Sequence, residues 1–185
     1  MEILIIYSVA LATFFVALYF DLRIQKIPNK LSFTALFTGV VINFIVYGVN
    51  GVGASLAGVF VAFILFFPAF YFKILGAGDV KLMMAIGALL GPVIIGWSIA
   101  YAIIFGGVTS ILLTIYKTGF VGIKNTFIRY YQCFLLRKYF KPEEGEAASL
   151  RVPYAPALFL GWILACYQNE ELMLTISAAR NSLNT

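Results

Sequence analysis

At 185 residues, with 62% hydrophobic and 11% charged residues and a mean hydropathy of +0.96, the chain has too little polar surface to fold as a water-soluble domain. It reads as an all-α integral membrane protein. The formal charge of +5 then describes how loops distribute across a bilayer rather than a nucleic-acid partner. With no histidine and only Cys133 and Cys166, zinc sites and histidine-based acid/base or triad chemistry lose their usual groups.

Apolar runs measured against the ~20 residues that cross ~30 Å of hydrocarbon give six candidate transmembrane helices. They are Ile3 to Phe20, Leu31 to Val49, Ala54 to Phe72, Val80 to Gly91, Val93 to Tyr116 and Val152 to Tyr167. The first lacks a positive n-region and a small-residue cleavage site, because Asp21-Leu22-Arg23 follows directly, so it reads as a span rather than a signal peptide. Pro68 predicts a kink in the third. Gly91-Pro92 predicts the turn that divides the long run from Val80 to Tyr116. Pro153 and Pro156 suit the first turn of the sixth helix, where amide hydrogens have no intrahelical partner.

Loop charge sets the expected topology. Arg23, Lys26 and Lys30 lie in the first loop, Lys73 and Lys81 around the third, and Lys117, Lys124, Arg129, Arg137, Lys138, Lys141 and Arg151 in the fifth. The alternate set, Gly48 to Gly53, Gly91-Pro92 and the tail after Tyr167, holds no Lys or Arg except Arg180. The positive-inside rule then puts both termini outside and the basic loops in the cytoplasm. The expected organisation is a single membrane-embedded domain, 1–185, in which residues 117–151 form one basic cytoplasmic insertion between helices five and six. Aromatic and basic residues interleave from Lys117 to Phe140, which suits either a helix in the anionic interface or an ordinary positive connector. Lys141 to Glu146 reads as a polar turn.

The same parity puts Asp21 and Asp79, the only two aspartates of the chain, at one membrane face. An ionisable group at the membrane boundary is costly and reads as functional, with a partner to be found. A carboxylate pair is what acid/base hydrolysis of a peptide needs: one takes a proton from water while the other, protonated, polarises the carbonyl. Like charges held that close cannot both ionise, so the pair would titrate as a unit. Gly76 and Gly78 would let a backbone approach closely and take φ > 0 before the helix starts. Other readings stand beside these. Asp79 suits the N-cap of the fourth helix equally well, and Asp21 alone suits an interfacial charge cluster with Arg23. If both act, Asp79 begins a helix and Asp21 ends one, so helix dipoles favour Asp79 as the base. Lys26, Lys30 and Lys81 read as topology determinants, and Asn29 as the N-cap of the second helix after Pro28.

Three stretches together resemble the type IV prepilin and preflagellin peptidases, membrane aspartic proteases marked by Gly-x-Gly-Asp. Asp21-Leu22-Arg23-Ile24-Gln25-Lys26-Ile27-Pro28-Asn29 resembles the first-aspartate motif. Gly76-Ala77-Gly78-Asp79-Val80-Lys81-Leu82 resembles the second, and Arg151-Val152-Pro153-Tyr154-Ala155-Pro156 the Pro-rich start of the last helix, with Ala155 where glycine is common. The resemblance implies an endopeptidase of the cytoplasmic membrane that removes the basic leader of pilin-like precursors. Asp21 and Asp79 would be catalytic, supported by Gly76, Gly78, Pro28, Asn29 and Lys81, with no cofactor and no metal.

Long members carry an N-terminal region with a four-cysteine metal site, associated with N-methylation. This sequence resembles instead the short form of Flp/Tad-type pilus systems, for which cleavage is expected and methyl transfer is not. Two rival readings of the residues are a small proton-coupled transporter and a non-catalytic pilus assembly factor. Against the transporter, the aspartates lie at one face rather than at midplane.

Overall fold

A computed structural model describes residues 2–71, 75–136 and 153–183. Five helices follow one another: α1 (Glu2–Ile24), α2 (Asn29–Tyr71), α3 (Ala77–Leu136), α4 (Ala155–Tyr167) and α5 (Glu170–Leu183). By length and composition, Glu2–Ile24, Asn29–Tyr71 and Ala77–Lys117 can each cross a membrane, whereas Ala155–Tyr167 is apolar but shorter. Lys73, Arg137 and Lys138, the turn from Lys141 to Glu146, and Arg151-Val152 lie outside the described residues.

The buried residues of α1 are Ile6, Ala10, Thr13, Phe14, Ala17 and Asp21. They recur at spacings of three and four, which is one helix face, so Asp21 continues an apolar stripe into the interior. α1 ends because Gln25 takes φ 50°, the one positive-φ residue other than glycine among those described. A left-handed residue closes a helix, and the Gln25 N–H still reaches the Asp21 carbonyl at 3.0 Å.

The predicted turn between the second and third spans is a fold at one residue. Gly48 takes φ 62°, ψ −143° inside α2, and the chain doubles back there. A straight helix would hold Gly39 and Gly58 about 28 Å apart. Both instead pack on one short stretch of α3, Gly39 against Ala88 and Leu89, and Gly58 against Gly87 and Gly91. The two arms, 29–47 and 49–71, are therefore antiparallel and meet at Gly51, which packs on the Asn43 backbone. Asn43 is buried at that junction and donates to the carbonyls of Gly39, Ala88 and Leu89 at 3.1, 2.9 and 3.0 Å. Pro68 leaves the second arm helical as far as Tyr71.

α3 changes direction at the predicted Gly91-Pro92, where Gly91 takes φ 78°. A straight α3 would put Ala102 about 35 Å from Asp79. Ala102 and Ser98 instead meet Gly161, two turns into α4. Close backbone approach through small residues is how helices associate where no hydrophobic force drives them together. Phe14 of α1 packs on Phe159 and Trp162 of α4, with ring centroids 5.5 and 5.1 Å away.

α5 was not expected. Its start is fixed by the Asn169 side chain, which accepts the Leu172 N–H at 2.9 Å, an N-cap followed by Glu170 and Glu171 in the first turn. The chain divides into two compact units, Met1–Phe105 with Pro153–Thr185, and Gly106–Val152. The second continues helical to Leu136 with a break at Gly119, φ 65°. It exposes Tyr116, Phe120 and Phe127 and stacks the Arg129 guanidinium 4.5 Å over the Tyr130 ring.

A methyl group at Gly58 would overlap the Gly87 carbonyl, whereas one at Gly53 would meet nothing. Gly58→Ala is therefore expected to cost about 2 kcal/mol or more by overpacking against backbone, and Gly53→Ala to leave stability unchanged or raised. Thermal unfolding in detergent compares them; equal midpoints would contradict the described packing.

Candidate active site

Asp21 and Asp79 line one cleft of about 500 Å³, together with the connector Ile24 to Asn29 and the residues Gly76, Ala77 and Gly78. The carboxylates lie close enough for the charge of one to act on the other. Each reaches the cleft from an inward stripe. Asp21 ends that of α1, and Asp79 begins the one that continues through Leu82, Met83, Ile86 and Leu89, all fully buried on α3.

Each carboxylate is held by a backbone amide. The Gly76 N–H donates to Asp79 Oδ2 at 3.2 Å, and the Gly76 carbonyl accepts the Asp79 N–H at 3.1 Å. With α3 beginning at Ala77, Asp79 is the third helical residue, reaching back as the acidic member of a capping box does. The alternative reading of Asp79 as the N-cap is thus corrected, because Gly76 holds that position. Asp21 Oδ2 accepts the Ala155 N–H at 3.0 Å, across 134 positions of sequence. That amide is the first of α4, whose preceding residue Tyr154 contributes no side-chain cap. An aspartate from another helix therefore fills the vacancy.

This bond also corrects the argument from dipoles. Asp21 lies near the C-terminal end of α1, yet its carboxylate faces the positive end of α4, as that of Asp79 faces the positive end of α3. Helix dipoles act on both in the same sense and do not separate a base from an acid.

Glycine fixes the width of the cleft. A Cβ at Gly78 would stand 3.2 Å from Ile27 Cβ, and one at Gly76 would stand 3.2 Å from Asp79 Oδ2. The backbone that approaches Gly78 is the chain's own connector, and neither glycine has positive φ, so their role here is space. Asn29 is not the cap of α2: the Pro28 carbonyl takes the Leu31 N–H at 3.1 Å, while Asn29 Oδ1 accepts Lys81 Nζ at 3.0 Å. Lys81 thereby ties the two aspartate-bearing segments together, a part that its reading as a topology residue did not include. No local pattern announced these contacts. Only the stripe from Ala10 through Phe14 and Ala17 to Asp21 was there to be read.

Among the described residues, the fold and this cleft define a bundle of helices alone, with two carboxylates lining one cleft. The sequence model of the type IV leader peptidase family matches residues 8–114, more than half of the chain and inclusive of both aspartates. The protein belongs to that family and is a membrane protease of the leader-peptidase type. No curated protein and no solved structure matches the chain. The Pro-rich stretch before α4 lies beyond the matched residues; what joins it to the site is the Ala155 bond.

Substitution at Gly78 should open the cleft in proportion to size. Gly78→Ala forces the Ile27 connector to move by a few tenths of an ångström, and Gly78→Val forces more, so protease activity and thermal stability fall in that order, by about 1 and up to about 3 kcal/mol in stability. Gly96→Ala, which meets open space, serves as the control. A Gly78→Val variant as stable and active as the control would show that the contact does not set the cleft.

Proposed function

We propose that the protein is an aspartic endopeptidase of the cytoplasmic membrane that removes the basic leader of type IV pilin-like precursors. The observation that carries the reading is the shared cleft, whose lining includes both Asp21 and Asp79. One carboxylate, ionised, takes a proton from water as the oxygen attacks the scissile carbonyl carbon. The other, protonated, donates to the carbonyl oxygen. The tetrahedral diol then breaks at its C–N bond, the amine leaving with a proton from the first carboxyl group while a diol hydroxyl returns its proton to the second, so that the carbonyl re-forms and the pair ends as it began. The Gly76 and Ala155 amides orient the pair. The dyad needs no metal or cofactor for these steps. Leader cleavage is the proposed activity.

The proposed topology has six spans: α1, the two arms of α2, α3 on either side of Gly91, and α4. Both termini are outside, and residues 117–151 are a cytoplasmic insertion. What supports it is the basic character of alternate loops together with the glycine folds at Gly48 and Gly91. The cleft would then open to the cytoplasm, where a basic leader waits at the foot of its apolar helix. The bilayer and the precursor are the proposed partners.

Incubating the purified protein with a pilin precursor tests the chemistry. Asp21→Asn and Asp79→Asn should each lower leader removal by about 10³-fold or more while the protein stays folded, and the double variant should be little worse than either, because the two act as one device. Near-normal turnover by either single variant would falsify the dyad.

Topology is checked separately by thiol labelling of intact cells after Cys133→Ala and Cys166→Ala. Asn50→Cys should react with an impermeant reagent from outside, and Gly145→Cys only after the membrane is opened. The inverse pattern would remove the aspartates from the side on which the leader lies.

A further inference from the structure

At the end of the bundle away from the aspartates lies another cavity, of about 360 Å³, within the ~300–1,000 Å³ range of small-ligand sites. Helical rise places it about 21 Å from Asp21 along α1, at Tyr7, and about 17 Å from Asp79 along α3, at Leu90. It forms where the Gly48 fold of α2 and the Gly91 break of α3 meet the beginnings of α1 and α5. Tyr7, Asn43, Tyr47, Asn50 and Glu171 bring side-chain oxygens to its wall, and no lysine or arginine lines it among the described residues. Asn43 is 6% exposed, and its amide nitrogen donates to the Gly39, Ala88 and Leu89 carbonyls, three acceptors that fix which end of the group is which. Its Oδ1 accepts nothing from the described residues and is not fully enclosed. The Tyr7 and Tyr47 hydroxyls and the Glu171 carboxylate have no hydrogen-bond partner there either, although Glu171 and Tyr47 lie close enough to the Tyr7 phenol for their charges to act on it.

We propose that this cavity binds a primary ammonium group, and that the group is the ethanolamine head of a phospholipid. Glu171 supplies the counter-charge, the two tyrosine rings supply faces for a cation, and Asn43 Oδ1 and the hydroxyls supply acceptors. An ammonium carries three N–H donors for them. A quaternary choline head has none, and would leave Asn43 Oδ1 without a donor. A calcium ion takes about six to eight oxygens, several of them from carboxylates, whereas Glu171 is the one carboxylate of this wall and Ile3, Ile6, Leu89 and Ile94 make up much of the rest. Location favours a lipid as the source. Ile5, Phe44, Ile45 and Val49, beside the wall in sequence, are each more than half exposed, apolar surface on which acyl chains can lie. The wall is built from the ends of spanning helices, the depth at which headgroups lie, and in the proposed topology that end faces outward. A bound ammonium would tie α5, through Glu171, to α1 and α2. The site stands apart from the peptidase reading and does not depend on it.

The test is titration calorimetry of the delipidated protein in an amine-free detergent, with dihexanoyl phosphatidylethanolamine and dihexanoyl phosphatidylcholine as probes of equal chain length. The ethanolamine lipid should bind at least ~10-fold tighter than the choline lipid, and at a hundredfold excess over its Kd should raise the thermal unfolding midpoint by about 5–10 °C. Glu171→Gln should abolish the preference. Tyr47→Leu, which removes a half-exposed ring, should weaken the ethanolamine lipid by ~3-fold or more, so that misfolding of one variant does not decide the matter. Glu170→Gln, next in sequence but outside the wall, should change nothing. Ethylammonium chloride separates the sources: binding much weaker than that of the lipid supports the headgroup, and binding as tight would overturn the lipid as the source. Equal binding of the two lipids by wild type, or equal losses in Glu170→Gln and Glu171→Gln, would overturn the site.

Discussion

A carboxylate in an apolar bundle needs a hydrogen-bond donor, and the Ala155 N–H supplies one to Asp21 across nearly the whole chain. The bond answers two needs at once. It gives a buried oxygen a charge-assisted partner, of a kind that contributes about 1.5–3 kcal/mol, and it caps a helix that has no cap of its own. Because it joins the end of α1 to the beginning of α4, the aspartate stays in register only while those helices pack. The Phe14, Phe159 and Trp162 rings hold them together.

The second aspartate is held locally, by Gly76, and brought to the first by steric fit. Ile27 is nearly buried because it lies on Gly78, and the Lys81–Asn29 bond closes the same junction one turn further along. Away from the cleft the same device recurs: Gly39, Gly58 and Gly161 let backbones approach where a methyl group would collide. In a lipid medium, where apolar surface gains little by leaving the solvent, such contacts are the available glue.

Much of this was legible in the sequence. Apolar run length delimited the helical segments, and Gly91-Pro92 marked a change of direction that φ at Gly91 accounts for. The loop at Gly48 was placed correctly but expected to be six residues long, since nothing in Gly48 to Gly53 says that a single positive φ suffices. Loop parity put Asp21 and Asp79 at one end, and the cleft unites them. Their hydrogen bonds were hidden for different reasons. An aspartate just before a helical run reads equally as N-cap or as third residue, and the difference is one turn of backbone. A bond spanning 134 positions leaves no periodic trace at all. α5 was missed although Asn169-Glu170-Glu171 is a helix start by its own chemistry, because a polar tail after an apolar run draws attention only to its charge.

Both carboxylates are oriented by main-chain amides, and a main-chain amide is indifferent to the side chain it carries. Any residue but proline at position 155 keeps the N–H that serves Asp21. The donors at 76 and 155 are thus chemically anonymous, and mutation reaches them only through bulk or through proline, which removes the N–H. Heredity at this site would be enforced by volume at 76 and 78 and by charge at 21 and 79, so its evolution is free in chemistry at the donors and bound in shape around them.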